Sequence, residues 1–399
     1  MRALGASAPV CDKDNGGITL PPGFCALVAA DGLGTARHAV VAADGDLFVA
    51  LQNGGIAALH DSTGSGHFDV KQTFGTGAVT GIGFHDGYLY YALPTSIERY
   101  KWTPGQLMPT SEPEVVVSLP VQREHIEKGL TFDESGHLYV NIGSPSNSCQ
   151  IRDRQPASPG MDPCTLLDQH GAVWMFAADK IGQTVADGTR IGTGLRQFPG
   201  LAWHDGAVYV AMNNRDQLDT LWPKVFTAED NATRPAEALY RVTVGANYGW
   251  PYCFFDYVNQ RFVTNPEYGG DGKTADRCGS YTPPLVSFPA HWAPVDLQFY
   301  TGNQFPAHYQ GGAFIAFHGS WNRAPFPQAG YNVTFQPFEN GKPSGKYEVF
   351  ADGFKGADDL KSPSAAAARP DGIAQAPDGS LYITDSQKGE IWRVFYRGQ

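Results

Sequence analysis

"KGLTFDESGHLYVNIG", Lys128 to Gly143, reads as a β-hairpin: a short apolar strand, a turn rich in Asp and Gly neighbours, then an alternating strand with an aromatic. The pattern returns. "ARHAVVAADGDLFVAL" begins at Ala36, "TGIGFHDGYLYYAL" at Thr80, "PGLAWHDGAVYVAMN" at Pro199 and "PDGIAQAPDGSLYITDS" at Pro370. A more diverged copy runs from "PVDLQFYTG" through "YQGGAFIAFHG", Pro294 to Gly319. Another strand follows most copies, as in "GGIAALH", "SIERYKW", "EALYRVTV" and "EIWRVFY". Copies spaced roughly 40 to 100 residues apart mark a radial repeat with insertions in the later units. One small antiparallel sheet cannot bury both its faces, whereas six around an axis bury them against each other. The expectation is an all-β chain: a six-bladed β-propeller of four-stranded antiparallel blades, rather than an array of β-sandwiches. "FCALVAADGL", Phe24 to Leu33, is expected to add a strand to the last blade and close the ring. Residues 1–23 then form an extension and residues 24–399 a single propeller domain.

Composition agrees with many short strands and tight turns: 47 Gly and 29 Pro in 399 residues, with aromatics at 12% and charged residues at only 17%. A net charge of −11 argues against a nucleic-acid or anionic-membrane partner, because phosphate binding needs a basic surface. No apolar run approaches the ~18 residues of a membrane span. The cysteines fall as three near pairs, Cys11 with Cys25, Cys149 with Cys164 and Cys253 with Cys278, without a CxxC, a Cys–His zinc pattern or a CxxCH haem motif. They read as three disulfides and hence as an oxidising compartment, periplasmic or secreted; six buried thiols in a cytosolic protein are the alternative. No signal peptide is visible, so Met1 reads as the start of a trimmed mature chain. Asn231 and Asn332 head glycosylation sequons.

The repeat also sorts the polar residues. The Asp/Gly turns join the first strand of each hairpin to the second, so they share one face of the ring. Residues just before the first strand and just after the second must therefore meet on the opposite face. Those before it include Arg37 and His38, Glu124 and His125, Arg196 and Gln197, His291 and Trp292, and Arg369. Those after it include "GSPSNS" (Gly143 to Ser148), "NNRD" (Asn213 to Asp216) and "HGSWNR" (His318 to Arg323). This cationic, aromatic ring surrounds the axial mouth of an acidic protein, where a propeller commonly holds a ligand. Arginines clustered without compensating carboxylates predict a carboxylate- or phosphate-bearing ligand. Glu127 and Lys128 read as a solvated pair.

"GLRQFPGLAWH", "GANYGWPYC", "AFHGSWNR" and "RPDGIAQAPDG" resemble the pyrroloquinoline-quinone (PQQ) sugar dehydrogenases of the soluble aldose and sorbosone dehydrogenase type, over nearly the whole chain. The resemblance implies a propeller holding PQQ and Ca²⁺ at its axial mouth. It implies that Arg196, Gln197, His291, Trp292, His318, Trp321, Arg323 and Arg369 line or contact PQQ, whose three carboxylates suit an arginine-rich pocket. Backbone carbonyls of Gly249, Trp250 and Pro251 are the implied Ca²⁺ ligands, hard oxygen donors of the kind this ion prefers. His125 is implied as the base that takes the sugar's C1 hydroxyl proton while hydride passes to PQQ, with Arg196 stabilising the developing charge. Glu124 is expected to orient the imidazole or touch substrate. Gln197 and Arg323 depart from the Asn and Lys of the soluble glucose enzymes, which leaves the cofactor in place and the sugar open. Without CxxCH, electrons must leave to an external acceptor, a quinone, cytochrome or dye. Two other classes compete: a Ca²⁺-dependent propeller lactonase or other hydrolase, and a propeller that only binds a protein or glycan.

Overall fold

A computed structural model of the chain describes residues 9–398. Six sheets form the blades of a propeller, and each innermost strand belongs to one copy of the sequence repeat. Blade 1 contains Ala36–Val41, Leu47–Leu51, Gly55–His60 and Val70–Phe74. The innermost strands of blades 2 to 6 are Ile82–His85, Leu130–Phe132, Gln197–His204, Pro294–Phe299 and Pro370–Gln375. The ring closes as the sequence implies: Phe24–Ala30 pairs antiparallel with Ile391–Tyr396 and becomes the outer strand of blade 6. Blades 2 and 3 depart from four strands. Each carries a fifth, two-residue parallel strand, Gln183–Thr184 on Glu114–Ser118 and Ala246–Asn247 on Thr189–Thr193. In both cases the following insertion covers an edge that would otherwise present unpaired backbone groups.

Period-two alternation explains the packing. In blade 1, Leu47, Val49 and Leu51 enter the core shared with blade 6, while Phe48 and Ala50 enter the core shared with blade 2. In blade 3, Leu138, Val140 and Ile142 face blade 2, and Tyr139 faces blade 4. Six apolar clusters thus lie one between each pair of neighbouring blades, and no blade has a core of its own. The two His-Asp-Gly turns show the repeat down to side chains. Asp86–Gly87 and Asp205–Gly206 all have positive φ, the geometry of a tight two-residue hairpin turn. The histidine before each turn stacks on the next blade, His85 on Phe132 at 4.5 Å and His204 on Phe299 at 4.0 Å.

All three expected disulfides are present, Cys11–Cys25, Cys149–Cys164 and Cys253–Cys278. Cys11–Cys25 ties the extension to the closing strand, and the Trp392 indole donates to the Gly16 carbonyl. Residues 1–8 of the extension lie outside the described residues. No helix is long and apolar enough to cross a membrane among the described residues. Asn231 and Asn332, the sequon asparagines, are buried at 3% and 5% exposure.

Closure by the first strand makes its core contacts disproportionately important. Leu27 is fully buried between blades 6 and 1. Leu27→Ala should cost about 2–5 kcal/mol, read as a lowered urea midpoint with unchanged slope. A midpoint equal to wild type would mean that this strand does not close the ring.

Candidate active site at the axial mouth

The face opposite the Asp/Gly turns opens into a cavity of about 250 Å³ to which all six blades contribute. Arg37 and His38 come from blade 1, Thr80 from blade 2, His125 and Glu127 from blade 3, Arg196 and Gln197 from blade 4. His291, His318 and Trp321 come from blade 5, and Arg369 and Asp371 from blade 6. Of the residues expected here, His125, Arg196, Gln197, His291, His318, Trp321 and Arg369 are brought together.

Three arginines reach the cavity, but carboxylates accompany them, which corrects the expectation of an uncompensated cluster. Arg37 pairs with Asp371 at 2.8 Å and Arg196 with Asp216 at 2.7 Å. Among the described residues, Arg369 is the one of the three with no carboxylate partner: its guanidinium donates to the carbonyls of His318 and Gly319 and to His318 Nδ1. Glu127 is not half of a solvated pair. It lines the cavity and accepts from Gln197 Nε2 at 2.8 Å, while Lys128 is buried and donates to the Ile126 carbonyl. Burial pulls the Lys128 ammonium down to about 8.

His125 sits at a positive φ of 53°, in a loop closed against blade 3. Its Nδ1 lies 2.7 Å from the Ser144 carbonyl, which can only accept, so the ring carries its proton on Nδ1. Nε2 is left as a lone-pair acceptor with no protein partner among the described residues. Burial, followed by the charge of Arg196, holds this imidazole well below its usual range, so it is neutral at pH 7. His318 has the opposite tautomer. Arg369 donates to its Nδ1, so its Nε2 is protonated and donates to Ser386 Oγ at 2.6 Å. That Ser–His pair cannot act as nucleophile and base, because the basic nitrogen is already taken.

Asp216 organises the floor. Its carboxylate accepts from Arg196 at 2.7 Å and from Asn322 Nδ2 at 2.6 Å, with Arg154 at 3.5 Å. Burial alone would raise it; Arg196, His291, Arg154 and His125 outweigh burial and bring it to about 2. Asn147 completes the clamp: its carbonyl accepts from Arg196 Nε and Trp250 Nε1, and its Oδ1 from Arg196 Nη2 and the Asp216 amide. Sequence reasoning placed Asn147 and Asp216 on this face within "GSPSNS" and "NNRD" but assigned them no role. No local signal separates Asp216 from Arg215 beside it, which turns away into a buried pair with Glu267.

Four of the expected groups lie away from the cavity lining. Glu124 does not line the cavity; Arg154 holds it through two 2.8 Å bonds. The Trp292 ring packs on Phe317 and Tyr347 in the interblade core. Arg323 lies outside the cavity lining and donates to the carbonyls of Ala232, Ala290 and Pro327. Gly249, Trp250 and Pro251 lie behind the wall, the carbonyls of Gly249 and Pro251 accepting from Cys253 N and Asn265 Nδ2. The Trp250 indole is buried against the Cys149–Cys164 bridge, so this turn packs the site from the rear.

Residues 18–397 match the TrAA12-like family, and the chain belongs to it. It is 31% identical over 206 residues to an uncharacterized protein of Borreliella burgdorferi, covering 51% of this chain and 48% of that one. It is 29% identical over 192 residues to a PQQ-dependent pyranose dehydrogenase of Coprinopsis cinerea, covering 41% of this chain and 25% of that one. The matched part is thus about half or less of either relative's length. The holo PQQ domain of the Coprinopsis cinerea pyranose dehydrogenase superposes with a TM-score of 0.74 at 18% identity, over 98% of this chain and 99% of that one. The calcium structure of a Trichoderma reesei enzyme of family AA12 gives 0.78 at 19% identity, again over 98% and 99%. These likenesses show the fold.

His291 generates a stability prediction. Burial brings it from 6.5 to about 4, and its Nε2 is bonded to the Asn231 carbonyl. Below pH 6.5 the unfolded chain binds a proton there that the folded chain refuses down to about 4, so stability falls as pH falls through that window. His125 and His318, also depressed, act in the same direction. Urea midpoints should decline more steeply from neutral pH towards about 4 in wild type than in His291→Asn, a comparison that cancels the opposite contribution of Glu237, whose carboxyl burial raises to about 8; parallel profiles would contradict a neutral buried His291.

Proposed function

We propose that the chain is a PQQ-dependent oxidoreductase that oxidises the C1 hydroxyl or hydrated aldehyde of an aldose- or sorbosone-type sugar and passes electrons to an external acceptor. The observation that carries this reading is one cavity holding a neutral His125 with Nε2 free and an Arg369 with no carboxylate partner. The pocket's chemistry suits the cofactor. A planar tricarboxylate needs cationic donors, and the wall offers Arg369, the remaining N–H of Arg196 and the buried, unpaired Arg37 Nε–H, while Gln197, whose Nε2 donates to Glu127, presents its orphan Oε1 as an acceptor. Arg369, Arg196 and Gln197 would hold PQQ, and the exposed Trp321 would form the rim.

Bound PQQ supplies an electrophilic quinone that accepts a hydride from the sugar's C1. The chain supplies the proton chemistry. His125 Nε2 accepts the C1 hydroxyl proton, the Ser144 carbonyl keeps the ring aimed, and Asp216 stabilises the imidazolium that forms. Arg196, rigid between Asn147 and Asp216, presents positive charge where negative charge develops.

Calcium stands apart. A Ca²⁺ shell needs several oxygen donors facing one point; the Gly249 and Pro251 carbonyls each accept one hydrogen bond within the fold, and the turn stands outside the cavity lining. No cluster of three His, Cys, Asp or Glu able to hold a metal occurs among the described residues. No step is therefore assigned to the ion. Three disulfides support an oxidising compartment, periplasmic or extracellular.

Protein reconstituted with PQQ, with and without CaCl₂, should reduce a dye with members of a panel of aldoses and sorbosone. His125→Ala should lose about 10²–10⁴-fold in kcat with PQQ affinity near wild type. Arg369→Ala should weaken PQQ binding first. Near-normal kcat in His125→Ala at saturating sugar would make His125 part of the wall only, and no PQQ uptake at all would end the cofactor reading.

A further inference from the structure

Glu237 opens the third strand of blade 4, Glu237–Arg241, and lines the axial cavity at 2% exposure. Its Oε2 accepts from the Asn214 amide at 2.8 Å and its Oε1 from the Ala293 amide at 3.2 Å. Both donors are neutral backbone groups, and no Arg, Lys or His side chain pairs with this carboxyl among the described residues. The cation of this network is already committed: Arg196 spends four of its five N–H donors on Asn147, the Asn214 carbonyl and Asp216. Two carboxyls therefore share one wall with one cation between them. Asp216 has that cation, and Glu237 has none.

A buried charge without a partner is expelled by protonation rather than tolerated, and of two neighbouring carboxyls the unpaired one takes the proton. We propose that Glu237 is held as a neutral carboxylic acid in the cavity wall and that an anionic ligand at the axial mouth is accepted only with Glu237 protonated. Ionised, Glu237 would face the ligand's carboxylates with a second negative charge beside Asp216. Protonated, it presents one more hydrogen-bond donor. The inference rests on the cofactor reading above for the identity of the anion, PQQ. Burial first, then the charge of Asp216, raises Glu237 to about 8, against the two amide bonds and Arg196.

The groups facing Glu237 from the packed elements leave this assignment standing. On the blade 4 loop Asp216 stays ionised and Arg196 stays charged. On the blade 5 loop His291, at about 4, remains neutral above neutral pH, and Arg323 behind it remains a cation. Across the cavity His125 and His318 are neutral. Lys128 also titrates at about 8, beneath the His125 loop, and needs a control.

Two measurements on the full chain test the proposal. Infrared difference spectra of the apoprotein should show a protonated-carboxyl band that disappears as pH rises through about 8 and is missing in Glu237→Gln. Asp216→Asn should move its disappearance to lower pH by removing the neighbouring charge, and serves if Glu237→Gln fails to fold. PQQ titration should show wild-type affinity falling by about tenfold for each pH unit above that midpoint, as one linked proton requires. Glu237→Gln should bind PQQ with a much flatter profile, any residual slope being the Lys128 share. Absence of the band overturns the proposal whatever PQQ does. An unchanged affinity profile in Glu237→Gln overturns the linkage. A wild-type protein that shows the band but takes up no PQQ at any pH supports the neutral acid and removes the cofactor reading instead.

Discussion

The contact between Asp216 and Arg196, 2.7 Å long and sunk under the axial mouth, is the constraint on which the site depends. Asn147 fixes Arg196 from the blade 3 insertion, and Asn322 fixes Asp216 from the blade 5 loop. Arg154 carries the network outward to Glu124, next in sequence to His125. One carboxylate thus locks loops from three blades into a single arrangement. Breaking such a buried pair from one side leaves a charge stranded, a penalty of about 3–5 kcal/mol. The pair is therefore a poor candidate for drift and a good one for rigid positioning of the groups at the mouth.

Charge distribution follows from the same arrangement. A protein of net charge −11 can hold an anion only where its own carboxylates are neutralised. Asp371 is neutralised by Arg37 and Asp216 by Arg196, each at hydrogen-bonding distance, and Glu237 by burial. Arg369 is then the cavity arginine left without a carboxylate partner among the described residues, and Glu127, held by the Gln197 amide, is the carboxylate that stands opposite it in the charge balance. The partners of Arg369 are carbonyls and an imidazole lone pair, which orient the guanidinium without cancelling it.

The fold was legible because its determinant is local and repeated. Each hairpin announces itself by period-two alternation around a turn, and the radial arrangement follows from needing cover on both faces. The placement of His125, Arg196, His318 and Arg369 at one mouth came from topology alone: residues flanking equivalent strands must share a face. What stayed hidden lies in insertions and in side-chain direction. Adjacent residues such as Arg215 and Asp216, or His291 and Trp292, point to opposite sides, one to the cavity and one to a core, and nothing in their spelling says which. The carboxylates that pair the arginines are distant in sequence, as Arg37 and Asp371 show, so an apparent surplus of arginine was larger than the real one. The Gly249-Trp250-Pro251 turn also has a packing role that its spelling does not announce: its indole packs on a disulfide and donates to the Asn147 carbonyl.

A crystal structure of the protein soaked or grown with PQQ tests the central claim most directly. The account predicts planar density in the axial mouth, a carboxylate on Arg369, and His125 Nε2 facing the space left for a sugar, with the Asp216–Arg196 contact unchanged. Density at another site, or a mouth that stays empty at saturating PQQ while Arg369 keeps its present partners, would contradict it.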